Sequence, residues 1–282
     1  MATTTPSTAY SRDLGDELRR LRETCTGLTG AALSVRLGWD PSKLSTIETG
    51  KYRASEIDLV QYLSMCGKDI DFFEDFKRRY RYAFEEYIVQ VSDNLRTLAM
   101  AESAAVAITS YDTQAMPGLA QTPEYAEGLY RMGGYVAEGR IPAVVQFRMD
   151  RQAILRRHDR PDCLFYVHEH ALRTRVGDDR VMADQYARLL FRQFRIRIVP
   201  ADAALVATSC VLWEFEKALP IAFTSTDLAK VFVQDPGAIA RTRLLFDRLA
   251  EVALDEEQSR KVLADYVGRP REELNERGPR LA

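Results

Sequence analysis

Apolar positions begin to recur at helical intervals soon after a polar N-terminal stretch. In "RDLGDELRRLRETC", Leu14, Leu18 and Leu21 form one stripe with the arginines mainly off it, which predicts a first helix. "LTGAALSVRLG" predicts a second, with Thr29 as N-cap, Ala32, Leu33 and Leu37 inward, and Gly38 as its stop. "GWDPSKLSTIETGKY" reads as a turn and a third, short helix. Asp40 is its cap, Pro41 suits the first helical position, Leu44 and Ile47 share a face, and Gly50 ends it. The close spacing of helices two and three is that of a helix-turn-helix. A fourth helix is expected over residues 55–66, with Ile57, Leu59, Val60, Leu63 and Met65 as its apolar positions. "DIDFFEDFKRRYRYAFEEYI" supplies a fifth, carrying Phe72, Phe73, Phe76, Tyr80, Tyr82, Phe84 and Tyr87. A small module is not expected to bury all of these rings, which leaves two readings: an inter-domain or dimer contact, or a helix packed on a second domain.

Beyond residue 90 the pattern mixes periods. A helix runs into a strand over residues 104–111, and "MPGLAQTPEYAEGLYRMGG" is a turn and a short helix opened by Thr122, Pro123 and Glu124. "IPAVVQFRMDRQAILRR" is helical and dense in arginine, "CLFYVHEHAL" a buried strand leading into a helical turn, "VMADQYARLLFRQF" a helix and "RIRIVP" a strand. "CVLWEFE" and "PIAFTST" predict a hairpin, "LAKVFV" a further strand, and two helices follow. The fold class is therefore α+β overall: an all-helical helix-turn-helix module over residues 10–90, then a mixed α/β sensor-like domain over residues 91–275.

A chain of 282 residues with 46% hydrophobic and 28% charged residues has room for both units and the composition of a folded protein. No apolar run approaches the roughly 20 residues of a membrane span, and the N-terminus lacks the basic and apolar regions of a secretory signal, so a cytoplasmic location without membrane contact is expected. Cys25, Cys66, Cys163 and Cys210 are scattered without metal-site or disulfide spacing. A net charge of −2 argues against nucleic acid only weakly. Residues 11–53 hold eight Lys or Arg against six Asp or Glu, densest at Arg19, Arg20 and Arg22, and a small module needs only a local basic footprint.

The stretch "LGDELRRLRETCTGLTGAALSVRLGWDPSKLSTIETGKYRA" resembles the helix-turn-helix of the Xre family, the phage-repressor type, through Leu18, the "LT" at Leu28 and Thr29, "RLG" at 36–38 and "LSTIETGK" at 44–51. Four later pieces, "MPGLAQTPEYAEGL", "RMDRQAILRR", "HEHALRTRVG" and "RIRIVP", resemble the DUF5753-type domain of unassigned function. That domain follows this helix-turn-helix in many actinobacterial regulators, including antitoxin-like ones encoded beside small partner proteins. The resemblance implies a transcription regulator that binds double-stranded DNA, not an enzyme. It makes residues 41–49 the recognition helix, with Ser42, Lys43, Ser45 and Thr46 toward DNA, and counts Thr29 among the DNA-binding positions. Two departures stand out: Gly30 occupies a position where relatives often have a phosphate-clamping glutamine, and Thr46 one where many have arginine. That leaves Lys43 as the only long cation on the exposed recognition face and makes homodimeric binding more important. Lys51 and Arg53, just past this helix, are candidates for phosphate contact. Arg36 and Glu48 are a candidate pair across the motif, and Trp39 either caps the core or meets the sugar-phosphate backbone.

His168, Glu169 and His170 are the nearest approach to a catalytic or metal group, with two histidines on one strand face. No third ligand, glycine-rich phosphate loop or serine elbow accompanies them, so no catalytic residue, metal or cofactor is expected. A small-molecule effector is the stronger account of the second domain, with Pro117, Gln121, Tyr125, Arg148, Arg151, Gln152, Glu169 and Arg173 as candidate ligand-binding residues. The alternative is a small protein partner and no metabolite.

Overall fold

The computed structural model describes residues 7–85, 87–90, 95–190, 193–205, 207–226 and 229–268; the last predicted residues of the second domain, 269–275, lie outside them. Helix α1 (Ala9–Leu21) starts before the leucine stripe because Thr8 caps it. The Thr8 hydroxyl accepts from Ser11 N, and the Ser11 hydroxyl accepts from Thr8 N. A π turn, Arg22–Thr26, leads to α2 (Gly30–Leu37), α3 (Pro41–Glu48) and α4 (Glu56–Met65). Thr29 caps α2 and Asp40 caps α3 as the sequence indicates, and Ser55 caps α4. Helices α1 and α3 meet backbone to backbone: a Cβ on Gly15 would lie 2.7 Å from both Glu48 O and Gly50 N, so this approach requires glycine.

Leu14, Leu18, Leu33, Leu44, Ile47, Leu59, Tyr62 and Leu63 form the core of this module. Helix α5 (Ile70–Tyr80) completes it and corrects the expectation about the aromatic segment. Phe73, Phe76, Tyr80 and Phe84 are all buried inside the module, with ring centroids 5.7 Å apart for Phe76–Tyr80 and for Tyr80–Phe84. Of the segment's described rings, Tyr82 alone is exposed and Phe72 is partly buried. The helix also ends earlier than its composition suggests. It stops at Tyr80, and strand β1 (Tyr87–Gln90) follows. On α4, Ile57 and Val60 face solvent at 71% and 43% exposure, contrary to the apolar pattern, because Leu59, Tyr62 and Leu63 already fill the inner face.

The second region comprises α6 (Arg96–Ala104), β2 (Ala107–Asp112), α7 (Pro123–Gly133), α8 (Ile141–Arg151), β3 (Asp162–His168), α9 (Glu169–Arg173), α10 (Asp179–Leu189) and β4 (Arg195–Val199). It continues with β5 (Cys210–Glu214), β6 (Ile221–Ser225), β7 (Lys230–Val233), α11 (Pro236–Val252) and α12 (Glu256–Gly268). The seven strands lie in the order β1-β7-β6-β5-β2-β3-β4, parallel for β2, β3 and β4 and antiparallel for the rest. Alternation along β3 shows how the sheet is covered. Cys163, Phe165 and Val167 pack with α6, α7, α10 and α12, whereas Leu164 and Tyr166 face α11 on the other side. The fold is thus an all-helical module followed by a mixed α/β region.

Candidate nucleic-acid interface and effector region

The short α3 presents Ser42, in its first turn, and Ser45 to solvent, and its C-cap Thr49 is exposed as well. Thr46 is half-buried and turns its hydroxyl back to Ser42 O and Lys43 O, each at 2.9 Å. Lys43 is restrained as well. Its Nζ lies 2.6 Å from Asp58 Oδ1 and 4.4 Å from the centroid of Trp39. Trp39 is half-buried, donates to Gln61 Oε1 at 3.2 Å and sits 6.4 Å from the Tyr62 ring, which gives it a structural position at the edge of the core. Thr29 is exposed at the start of α2, and Lys51 and Arg53 are exposed beyond α3. Arg53 donates to Arg81 O at 3.1 Å.

A groove of about 270 Å³ runs between α1, α2 and α3, lined by Arg19, Gly30, Ala31, Pro41, Leu44, Ser45, Glu48 and Thr49. A Cβ at Gly30 would lie 3.3 Å from Leu44 Cδ2, a tight contact with the end of that side chain. Arg19 and Arg20 add exposed cations on α1 that the motif reading left out, although the arginine cluster was visible in the composition. Both are held by Asp16. The proposed Arg36–Glu48 pair is replaced. Glu48 receives Arg22 through Nε at 2.8 Å and Nη2 at 2.9 Å, and Tyr62 OH at 2.6 Å. The π turn is where Arg22 sits, and it enters the core, while Arg36 stays exposed at the end of α2. The Glu48 carboxylate raises the Arg22 pKa; burial, and then Glu48, raise that of Tyr62.

Five of the eight candidate effector residues converge on the turn that precedes α7. Buried Gln121 donates to Met116 O at 2.7 Å and accepts from Arg148 Nη1 at 2.5 Å. Gln152 donates to Gln121 O at 2.8 Å, the Tyr125 hydroxyl accepts from Met116 N at 3.2 Å, and Pro117 is buried in the turn itself. Arg148 also donates to Tyr130 OH at 2.8 Å, with its guanidinium 4.6 Å from that ring. Arg151 is turned away to Glu102 at 2.6 and 2.7 Å. Glu169 and Arg173 form a separate pair, and Glu169 also accepts from Ala201 N at 2.9 Å. Sequence reasoning missed Asp112, whose carboxyl is pushed up to about 7 by burial, against a hydrogen bond from Ser110. It stands at the end of β2, one of the parallel strands, and no motif marks it.

His168 and His170 do not share a strand face. His168 ends β3 and caps α9, its Nδ1 accepting from His170 N at 3.1 Å, while His170 is the second residue of the helix. Among the described residues no cluster of three or more metal-ligating side chains is found.

Helix α6 joins the two regions. At one end Arg96 lies 2.7 Å from both Asp13 Oδ1 and Asp16 Oδ2 of α1, and Thr97 donates to Asp13 Oδ2 at 2.8 Å. Near the other end Glu102 holds Arg151 of α8. Ala9 N also donates to Gln234 Oε1 at 3.0 Å, and Ala9 packs into the core of the second region. Burial pushes the Asp13 carboxyl above its usual range, with Thr97 and Arg96 opposing.

An exposed polar helix beside clustered cations, on a compact helical module tied to an α/β domain, defines a helix-turn-helix DNA-binding protein with an appended domain. Residues 13–71 match a family model described as a helix-turn-helix domain, and residues 95–265 match one described as a domain of unknown function, DUF5753. The second match spans more than half of the chain, and the chain belongs to the DUF5753 family. No curated protein and no solved structure matches it. Among the described residues no helix is long and apolar enough to cross a membrane.

Proposed function

We propose that the protein is a sequence-specific transcription regulator of the Xre type that works in the cytoplasm as a homodimer and senses a small molecule through its C-terminal domain, without catalytic activity. The observation that carries the DNA-binding half is the groove face. Ser45 and Thr49 are exposed there, Arg19 lines the groove, Ser42 is exposed in the first turn of α3, and Lys51 and Arg53 are exposed past its end. Short polar side chains suit base edges, and long cations beyond the helix suit phosphates. The sensing half is supported by α6. Its ion pairs at both ends give a change in the α/β domain a direct mechanical route to α1. One observation favours the protein-partner alternative. Met132 and Tyr135, on either side of the turn that ends α7, are 58% and 75% exposed.

Selection of bound sequences from a random pool tests this directly. The expected product is a motif with two half-sites spaced by about 34–36 Å or a multiple of it, with affinity falling steeply between low and moderate salt. Light scattering should give twice the single-chain mass of 32.1 kDa. A monomer mass, or enrichment of no sequence, overturns the reading. Sensing is tested by measuring operator affinity with and without a dialysable cell extract, which should change it in the full chain.

A further inference from the structure

Arg148 lies in the last turn of α8, and both of its hydrogen-bond acceptors, Gln121 Oε1 and Tyr130 OH, are neutral. Its Nε is buried without an acceptor among the described residues. Three residues on, Arg151 shows the opposite case, with both guanidinium contacts on the carboxylate of Glu102. Burial pushes the Arg148 pKa down. The nearby Glu102 carboxylate is already engaged by Arg151, so it compensates Arg148 little. A desolvated guanidinium with no anion beside it is unfavourable in the folded chain, and a ligand that supplies the anion relieves it.

The surroundings suit a ligand better than they suit a structural ion pair. Around Arg148 the chain offers one cation and two neutral oxygens, Gln121 Oε1 and Tyr130 OH. Arg148, Tyr130, Gly118 and Thr122 all keep partial exposure, so solvent reaches the rim. We propose that Arg148 anchors an effector site for a small anionic metabolite, whose carboxylate or phosphate group seats on the Nε edge between the 116–121 turn and Tyr130. This rests on the sensor reading and gives that sensor its ligand class. It also names the regulatory path: an anion that draws Arg148 moves the last turn of α8, whose final residue Arg151 holds α6, and α6 holds α1 through Arg96.

The test uses the full chain with ¹⁵N-labelled arginine. The Arg148 Nε resonance is assigned by its loss in Arg148→Met, and inorganic phosphate and citrate are titrated separately at constant ionic strength against chloride. The expected result is a saturable shift confined to Arg148 Nε in at least one arm, and the responding arm names the group. Arg148→Met should melt within about 2 °C of the unmodified protein, whereas Arg151→Met, which orphans buried Glu102, should melt more than about 5 °C lower. No saturable shift, a shift shared by surface arginines, or an Arg148→Met melting loss as large as that of Arg151→Met overturns the proposal. The extract experiment separates the two levels. If extract changes the operator affinity of the unmodified protein and of Arg148→Met equally, sensing stands and the Arg148 anchor falls. If it changes neither, both fall.

Discussion

Arg22, which shares the Glu48 carboxylate with Tyr62, and Arg148, which lies over Tyr130, stand one in each region of the molecule and differ in what completes them. Arg22 gives Nε and Nη2 to Glu48 and Nη1 to Leu28 O at 2.7 Å, and Tyr62 OH donates to the Oε1 of the same carboxylate. Among the described residues Arg148 meets only neutral oxygens, and its Nε has no acceptor. A closed network rigidifies the part that must present a fixed helix to DNA. An open one leaves a binding opportunity in the part that, on the proposed reading, responds. The contrast teaches that buried charge alone does not mark a site; what matters is whether the chain itself satisfies it.

The largest expected effect comes from opening the closed network. Glu48→Gln should leave Arg22 as an uncompensated buried cation and lower unfolding free energy of the helical module by about 3 to 5 kcal/mol. The pair Arg22→Met with Glu48→Leu should recover most of it, as read by urea denaturation followed by circular dichroism. A cost below about 1 kcal/mol for Glu48→Gln would remove the distinction between the two arginines.

Asp112 tests the second region through pH. Its folded-state pKa is raised from 3.8 to about 7, so the folded chain binds the proton more tightly than the unfolded chain does. The stability this contributes is complete below about pH 4, declines as pH rises toward 7 and is gone above it. Asp112→Asn, which keeps an acceptor for Ser110, should lack this decline, so the stability difference between the proteins should move by about 2 to 4 kcal/mol across that window and stay flat beyond it. Parallel pH curves for the two proteins would mean that the carboxyl is solvated.

Much of the DNA-binding module is legible in the sequence because local signals decide it. Asp40 with Pro41, Thr29 and the stop glycines mark helix ends whose hydrogen bonds close within a few residues. The capping role of Thr8 is hidden, since its partner Ser11 lies in a polar stretch with no apolar period. Ile57 and Val60 mislead because helical spacing shows which residues share a face and not which face is covered. The pairing of Arg22 with Glu48, in place of Arg36, depends on the π turn, which no residue pattern announces. In the second region the elements are readable and their arrangement is not. β2, β3 and β4 pair across long helical crossovers, and their order is set by packing far apart in the chain. The candidate effector residues are legible only in part: Gln121, Tyr125, Arg148 and Gln152 meet, Glu169 and Arg173 pair elsewhere, and Asp112 carries no signal.

The smallest expected effect concerns Lys43, the cation that lies between the two cases. It has a carboxylate, Asp58, but a half-exposed one-point contact in place of a closed fork, and it also lies over Trp39. Such a pair contributes about 0.2 to 1 kcal/mol to stability, and a base or phosphate competes with it on nearly equal terms. Lys43 therefore braces α3 against α4 and, on the proposed reading, has to leave Asp58 to reach DNA. Asp58→Asn removes the competing charge while keeping a side-chain oxygen for Ser55 N, which now donates to Asp58 Oδ2 at 3.0 Å. Operator affinity measured by fluorescence anisotropy should rise several-fold in Asp58→Asn and fall in Lys43→Ala, with the two changes cancelling in part when combined. If Asp58→Asn weakens binding instead, the ion pair positions the recognition helix, and Lys43 belongs with Arg22 among the groups whose work is complete before DNA arrives.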